Sequence, residues 1–234
     1  PVFLHEEAIY LHEGAQYHVD RLDWEEKKAY VRPVKVDYWT DADRAASVSI
    51  LDAFADRPGA MGAAHGEVQV TSLATVFKKI RFHTHETVGL GPIDLPQVDL
   101  HTTSYWTTVA PELEARFSRL ELQAGLQGLA HALRHVASVF LMCDPRDLGT
   151  ATQVRCPGTG LPTVFVYDVF PGGVGLSPRL FDRHAEVLEA AAEMVSGCEC
   201  LAGCPSCVGA MVENGMEAKR VAADLARGVR VLAA

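Results

Sequence analysis

Cys198-Glu199-Cys200-Leu201-Ala202-Gly203-Cys204-Pro205-Ser206-Cys207 packs four thiols into ten consecutive residues at C-x-C-x3-C-x2-C spacing. Crowding of this kind suits a metal better than a disulfide framework, which ties distant segments together. Zinc favours four thiolates in a tetrahedron at about 2.3 Å, and Cys204-Pro-Ser-Cys207 can wrap one edge of it as a tight knuckle, with Gly203 and Pro205 supplying the turns. A saturated thiolate shell leaves no open position for water, so the role expected of Cys198, Cys200, Cys204 and Cys207 is structural. Free or redox-active thiols are the weaker reading, although a C-x-x-C pair alone also suits them. An iron–sulfur cluster is the remaining rival, because thiolates by themselves do not choose between it and zinc.

Helices are expected on both sides of the cluster. Pro171-Gly172-Gly173-Val174-Gly175-Leu176-Ser177-Pro178 opens one, with Ser177 as predicted N-cap, Pro178 at the first helical position and Gly197 past the end. Leu180, His184, Val187, Leu188, Ala191 and Val195 form its inward side. Glu213 to Arg230, with Ala218, Val221, Ala222 and Leu225 inward, reads as a closing helix, so the metal would pin one helix to the other. Upstream, Thr152–Arg155 and Pro162–Asp168 flank a Gly/Pro turn in the pattern of a hairpin. Leu129, Leu133, Val136, Ala137 and Phe140 make an amphipathic stripe, with Gly125 and Gly128 suggesting a short break before it, and Pro111 stands at a first helical position.

The residues before Pro111 are β-rich. Ala8–Leu11, Gln16–Leu22 and Ala29–Tyr38 alternate or cluster β-branched and aromatic residues between turns, the pattern of an antiparallel meander or small barrel. Further strands are expected at Ala45–Phe54, Gly66–His85 and Thr102–Val109, and Pro33 inside a strand points to an edge or bulge. The fold class that follows is α+β: a β-rich part over 1–109, then a helical part over 110–234 with a β-hairpin and the four-cysteine site.

Composition narrows the function. The 234 residues suffice for a substantial core, and 48% hydrophobic against 22% charged residues exclude a disordered chain. A net charge of −9 argues against a surface that traps phosphates everywhere, so any nucleic-acid contact must be local. No apolar run is long enough to cross a bilayer, so no membrane partner is expected. Pro1 stands where an initiator Met would, and no secretory signal follows, so the chain reads as part of a longer protein.

Other constellations carry weaker signals. Lys78-Lys79-Ile80-Arg81, with Arg32, Lys35, Tyr38 and Trp39, is a basic and aromatic concentration that could pair charge with stacking on a nucleic-acid strand, though short basic runs are usually solvated faces. Gly172 and Gly173 before a helix start could cradle a phosphate or simply pack strand against helix; without a following Gly-Lys-Ser/Thr they make no nucleotide-triphosphate loop. His83 and His85 on one strand face beside Glu86 would be two-thirds of a hydrolytic metal site lacking a further ligand. His131 and His135 have zinc-protease spacing but no Glu after the first His, which leaves two hydrogen-bonded histidines on a helix face. Cys143 reads as a structural thiol and Asp144 as a cap.

Taken in order, Leu11-His-Glu-Gly-Ala-Gln-Tyr17, Ala29-Tyr-Val-Arg-Pro-Val34, Asp37-Tyr-Trp-Thr40, Thr84-His-Glu-Thr-Val-Gly89, His131-Ala-Leu-Arg-His135, Met142-Cys-Asp-Pro-Arg-Asp-Leu-Gly149, Tyr167-Asp-Val-Phe-Pro-Gly-Gly-Val-Gly-Leu176 and Gly203-Cys-Pro-Ser-Cys207 resemble the C-terminal domain of DEAD/DEAH-type helicases similar to mitomycin repair factor A. The resemblance implies zinc on Cys198, Cys200, Cys204 and Cys207. It also implies a parent that is a cytoplasmic, ATP-driven 3′-to-5′ DNA helicase of DNA repair, whose two RecA-like motor lobes are not in this chain. Many relatives carry a further Cys-Gly-Asn, where Val212-Glu-Asn-Gly215 stands here; that departure questions a fifth cysteine, not the four-ligand site. The expected function is an accessory domain with structural zinc that positions or separates single-stranded or forked DNA for the motor and does not itself hydrolyse ATP. A free-standing metal-dependent hydrolase and a zinc-stapled protein-docking module are the alternatives.

Overall fold

Period-two alternation makes the first part of the chain extended: Val68 and Val70 are buried between half-buried Glu67 and Gln69. A computed structural model describes residues 4–209 and 217–228. Its strands are β1 (Ile9–His12), β2 (Ala15–Asp23), β3 (Lys28–Val34), β4 (Tyr38–Arg57), β5 (Met61–Arg81), β6 (Thr87–Pro92), β7 (Val98–Val109), β8 (Leu148–Gln153) and β9 (Thr163–Asp168). The helices are α1 (Pro111–Glu114), α2 (Arg119–Leu141), α3 (Leu176–Asp182), α4 (His184–Gly197) and α5 (Ala218–Arg227), with a 3₁₀ turn at Pro145–Asp147. The mixed α+β class expected from the sequence is the one observed. Val212–Gly215 and the outer parts of the Glu213–Arg230 stretch lie outside the described residues.

Two compact units are formed, one from Pro1–Ala46 and Thr71–Asp99, the other from Ser47–Val70 and Leu100–Ala234. The composition change at residue 109 therefore marks where strand gives way to helix, while packing divides the chain elsewhere. The reason lies in β4 and β5: each is about twenty residues long and passes from one unit into the other.

In the first unit β1, β2 and β3 form an antiparallel meander in that order. Pro33, opposite Tyr17, sits on edge strand β3, where its missing N–H costs no ladder bond. β6 pairs antiparallel with the far half of β5. Its Gly91 lies against the Phe77 ring, in a small core with Ala74 and Ile93.

In the second unit the strand order is β4-β5-β7-β9-β8, and the β8–β9 hairpin is antiparallel as its turn predicts. α2 packs on β8, β9, α4 and α5. It starts in a capping box, Glu121 N–H donating to Ser118 Oγ and Ser118 N–H to the Glu121 carboxylate, and it ends on Met142 in the left-handed conformation. The break expected at Gly125 and Gly128 does not occur. α2 runs unbroken through both, because these glycines are where α5 comes closest: a Cβ on Gly125 would collide with Val221, and one on Gly128 would lie 3.2 Å from the Ala222 Cβ.

The single helix expected from Ser177 to Gly197 is two. Gly175, at φ 84, caps α3, so Ser177 is inside the helix and Pro178 occupies its first turn, where an N–H has no intrahelical partner to lose. Arg183, at φ −103 and ψ 20, interrupts the helix, and α4 restarts at His184. His184 bridges the core: its Nδ1 meets the Tyr105 hydroxyl at 2.6 Å and its Nε2 the Met61 carbonyl at 2.9 Å.

Candidate metal centre

α4 ends at Gly197, and Cys198 leaves it in an extended conformation, so the thiols begin directly beneath a helix anchored by Val187, Leu188, Ala191 and Val195. The chain then doubles back. Cys207 and Val208 N–H both donate to the Cys204 carbonyl, at 3.1 and 3.2 Å, closing the knuckle. Gly203 sits at φ 125, and a Cβ there would come 2.6 Å from Val208 Cγ2, so a side chain is excluded on two counts. Cys207 and Val208 are buried in the core shared by α2 and α5, with Cys198, Cys200 and Cys204 half-buried against it.

The sulfurs converge. Sγ–Sγ distances are 3.6 Å for Cys198–Cys204, 3.5 Å for Cys200–Cys207 and 3.7 Å for Cys204–Cys207, and all four atoms lie within 4.8 Å of one another. A regular tetrahedron with arms of about 2.3 Å has edges of about 3.8 Å, so this spacing fits four thiolates around one ion. A cluster of several irons would push its cysteine sulfurs further apart. Among the described residues no other group of three or more His, Cys, Asp or Glu ligand atoms converges in this way.

The electrostatics of the cluster are those of a shared site. Cys204 is pulled down to about 6, chiefly by the Cys207 and Ser206 N–H groups aimed at its sulfur. Burial pushes Cys207 up to about 12. For Cys198 the Cys200 N–H acts downward, but the Cys200 and Cys204 thiols and desolvation together outweigh it. Protons leave such a group collectively, and a divalent cation is the partner that lets all four go. Around the thiols, Lys219 Nζ donates to the Cys198 carbonyl at 2.7 Å and also to the Cys200 carbonyl. His131 turns towards the knuckle: burial and then His135, 4.6 Å away ring to ring, lower its pKa, while the Pro205 and Ser206 carbonyls act to raise it.

The glycine loop holds an anion, and that anion is the protein's own. Asp168 Oδ2 accepts from Val174 N–H at 2.7 Å and Leu176 N–H at 3.4 Å, while Gly172 N–H donates to the His101 carbonyl and Gly173 N–H to that of Phe170. Gly172 and Gly173 stand at φ 77 and 73, and a Cβ on Gly173 would strike Thr103. A phosphate here would have to displace the Asp168 carboxylate, which matches the packing role of the loop.

Lys78 and Lys79 are half-buried on β5 and Arg81 is exposed at its end. Lys79 Nζ lies 5.5 Å from the Tyr38 ring centre, and the Arg81 guanidinium is 3.6 Å from Asp37. His83 and His85 are not on a strand: they occupy the turn between β5 and β6, His85 with φ 56, so the alternation that was to align them is absent. Cys143 is half-buried and its thiol is pushed up by burial and by Asp147, against a nucleophilic role. Asp144 caps the 3₁₀ turn, and Arg146 beside it holds its carboxyl down at about 2.

An α+β fold whose helices close on four converging thiols defines a class: a protein with a four-thiolate site of the kind that suits a zinc ion. Its relatives are specific. Residues 129–208 match the family described as the MrfA Zn-binding domain. The ATP-dependent helicase YprA of Bacillus subtilis is 43% identical over 92% of this chain, which spans 29% of that relative. Over 33% of the chain, a protein of Methanocaldococcus jannaschii, MJ1572.1, is 28% identical. A crystal structure of the DUF1998 helicase MrfA bound to DNA matches 97% of the chain at 41% identity and a TM-score of 0.68; this chain covers 30% of it. A second MrfA structure, bound to DNA and AMPPNP, matches 94% at 40% identity and a TM-score of 0.55. The chain is thus homologous to the MrfA-type helicases over nearly its whole length, although it spans less than a third of theirs, and residues 129–208, which hold all four converging thiols, are the part that matches the Zn-binding domain.

Sequence reasoning missed Lys219 and the pairing of Asp168 with the glycine loop. A signal existed for the first. Lys219 is a cation in the first turn of a helix, where the macrodipole disfavours it, so it needs a reason from outside the helix.

Proposed function

We propose that this chain is the zinc-stapled accessory part of an ATP-dependent DNA helicase. Cys198, Cys200, Cys204 and Cys207 hold one Zn2+ whose role is structural, fastening the end of α4 to the core beneath α5. The observation that carries the reading is the convergence of four thiolates within 4.8 Å of one another, inside a stretch homologous to helicases that bear a Zn-binding domain. Zinc with four sulfur ligands keeps no site for water, so the metal fastens and does not hydrolyse.

In this reading the helicase works in the cytoplasm, moves 3′ to 5′ and serves DNA repair, and RecA-like motor lobes of the same parent supply ATP turnover. The accessory part positions or separates single-stranded or forked DNA. DNA-bound structures of the homologous MrfA support a nucleic-acid partner. Lys78, Lys79 and Arg81 are the residues proposed to touch phosphate; Gly172 and Gly173 are not proposed, because their N–H groups already donate to the His101 and Phe170 carbonyls and Asp168 fills the loop. Support comes from the exposed Trp24 ring, which lines the same groove as Lys79 and offers one aromatic face near an ammonium for a stacked base, although Glu6, Glu7 and Asp94 line that groove too.

The test is fluorescence anisotropy of the purified chain with single-stranded and forked oligonucleotides over a salt series, alongside an ATPase assay. Binding that weakens with salt, with no ATP turnover, is expected. Absence of DNA binding at low salt, or ATPase activity in the isolated chain, contradicts the reading.

A further inference from the structure

Lys219 stands where a helix least favours a cation. It is the second residue of α5, and the unsatisfied N–H groups of a helix start carry partial positive charge, so an ammonium there is disfavoured unless something offsets it. The offset lies in the metal centre: Nζ donates to the Cys198 and Cys200 carbonyls, the two that flank Glu199 in the C-x-C arm. A Cβ on Gly203 would lie 3.8 Å from the Lys219 Cβ, so the lysine stem runs under the same loop that turns the chain into the knuckle. One divalent ion with four thiolates bears two net negative charges, and such a site gains from a neighbouring cation and from partners that orient its ligands.

We propose that Lys219 is a positioning residue of the zinc centre: by bridging the Cys198 and Cys200 carbonyls it holds the C-x-C arm in register with the knuckle and offsets the charge of the four-thiolate ion. Cys204 has N–H donors from Ser206 and Cys207 and Cys198 has one from Cys200, but the carbonyls of the C-x-C arm, which begins at a helix end, are bridged to α5 by Lys219. The inference rests on the zinc reading above and adds that metal retention is set by a residue outside the cysteine run.

The test compares zinc retention in the wild-type chain, Lys219→Met, Lys219→Arg and Arg220→Ala, by chelator competition with a chromophoric readout and by circular dichroism in excess zinc. Arg220 joins α5 to Glu121 of α2 at 2.5 Å and touches no cysteine, so its loss reports the effect of loosening the helix alone. Wild type must first carry one zinc per chain; if it carries none, the zinc reading itself fails. Given zinc in the wild type, Lys219→Met is expected to hold the metal about 10–100-fold more weakly while keeping its helical signal, with Lys219→Arg restoring most of the loss. Wild-type retention in Lys219→Met, or an equal loss in Arg220→Ala, overturns the proposal. Should Lys219→Met not fold in excess zinc, Lys219→Arg decides: folded with zinc retained supports it, while folded with zinc lost, or unfolded, overturns it.

Discussion

Gly125→Ala tests how closely α2 and α5 meet, because two opposing effects of known size act on one methyl group. In a helix interior alanine is better than glycine by about 1 kcal/mol, so the substitution should stabilise an isolated α2. The fold reverses the sign. The new Cβ would stand 2.7 Å from Val221 Cβ, and closer still to its Cγ1, where ordinary contact begins at 3.4 Å. Val221 is fully buried between Gly125 and the core, so it cannot swing away, and overpacking of this kind costs about 1–3 kcal/mol. The net expectation is a loss of up to about 2 kcal/mol, or up to about 8 °C in Tm for a chain of this size. Thermal unfolding followed by circular dichroism in excess zinc measures it. Val221→Ala should absorb part of the damage, the double variant falling short of the sum of the singles by about 1 kcal/mol. Gly128→Ala, whose Cβ meets its neighbours at 3.2 Å, should be close to neutral. A Gly125→Ala variant that melts higher than wild type, and adds simply with Val221→Ala, refutes the close approach.

Asp168→Asn should cost about 1–2 kcal/mol, because the loop N–H groups of Val174 and Leu176 would lose a charged acceptor; equilibrium urea unfolding checks this, and an unchanged midpoint refutes it. His184 is held below the usual histidine range, first by burial, so the unfolded chain takes up a proton near pH 6.5 that the folded chain refuses. Its share of stability is therefore present above pH 6.5 and is lost as pH falls from there towards the depressed folded value. Melting curves from pH 7.5 to 5.5 should fall, and less so in His184→Gln. Lys79→Ala and Arg81→Ala should each weaken single-stranded DNA binding and reduce the salt slope by about 0.7 if the residue meets one phosphate; an unaltered slope removes that residue from the contact.

What could be read in the residues alone followed how local the cause was. The four thiols lie in one short run, so their convergence was legible from spacing, as was the hairpin turn between β8 and β9; the Ser118 cap of α2 was not read. Gly125 and Gly128 misled because the reason for them is Val221 and Ala222, far along the chain: a glycine admitting a neighbouring helix and a glycine ending one look the same in sequence. Ser177-Pro178 has the form of a helix start, yet Gly175 in the left-handed conformation begins α3 earlier, and the core contacts of His184 accompany a break that periodicity alone does not disclose. β6 was missed because Thr87–Pro92 carries two glycines, which lower strand preference where Gly91 must admit Phe77. The glycine loop was recognisable as an anion cradle, but that Asp168 fills it is a matter of tertiary folding.

The most direct measurement is X-ray absorption at the zinc edge, with metal stoichiometry, on protein purified without added metal. The account predicts one zinc per chain in a shell of four sulfurs at about 2.3 Å. A chain free of metal, or an ion with oxygen or nitrogen among its nearest ligands, contradicts it.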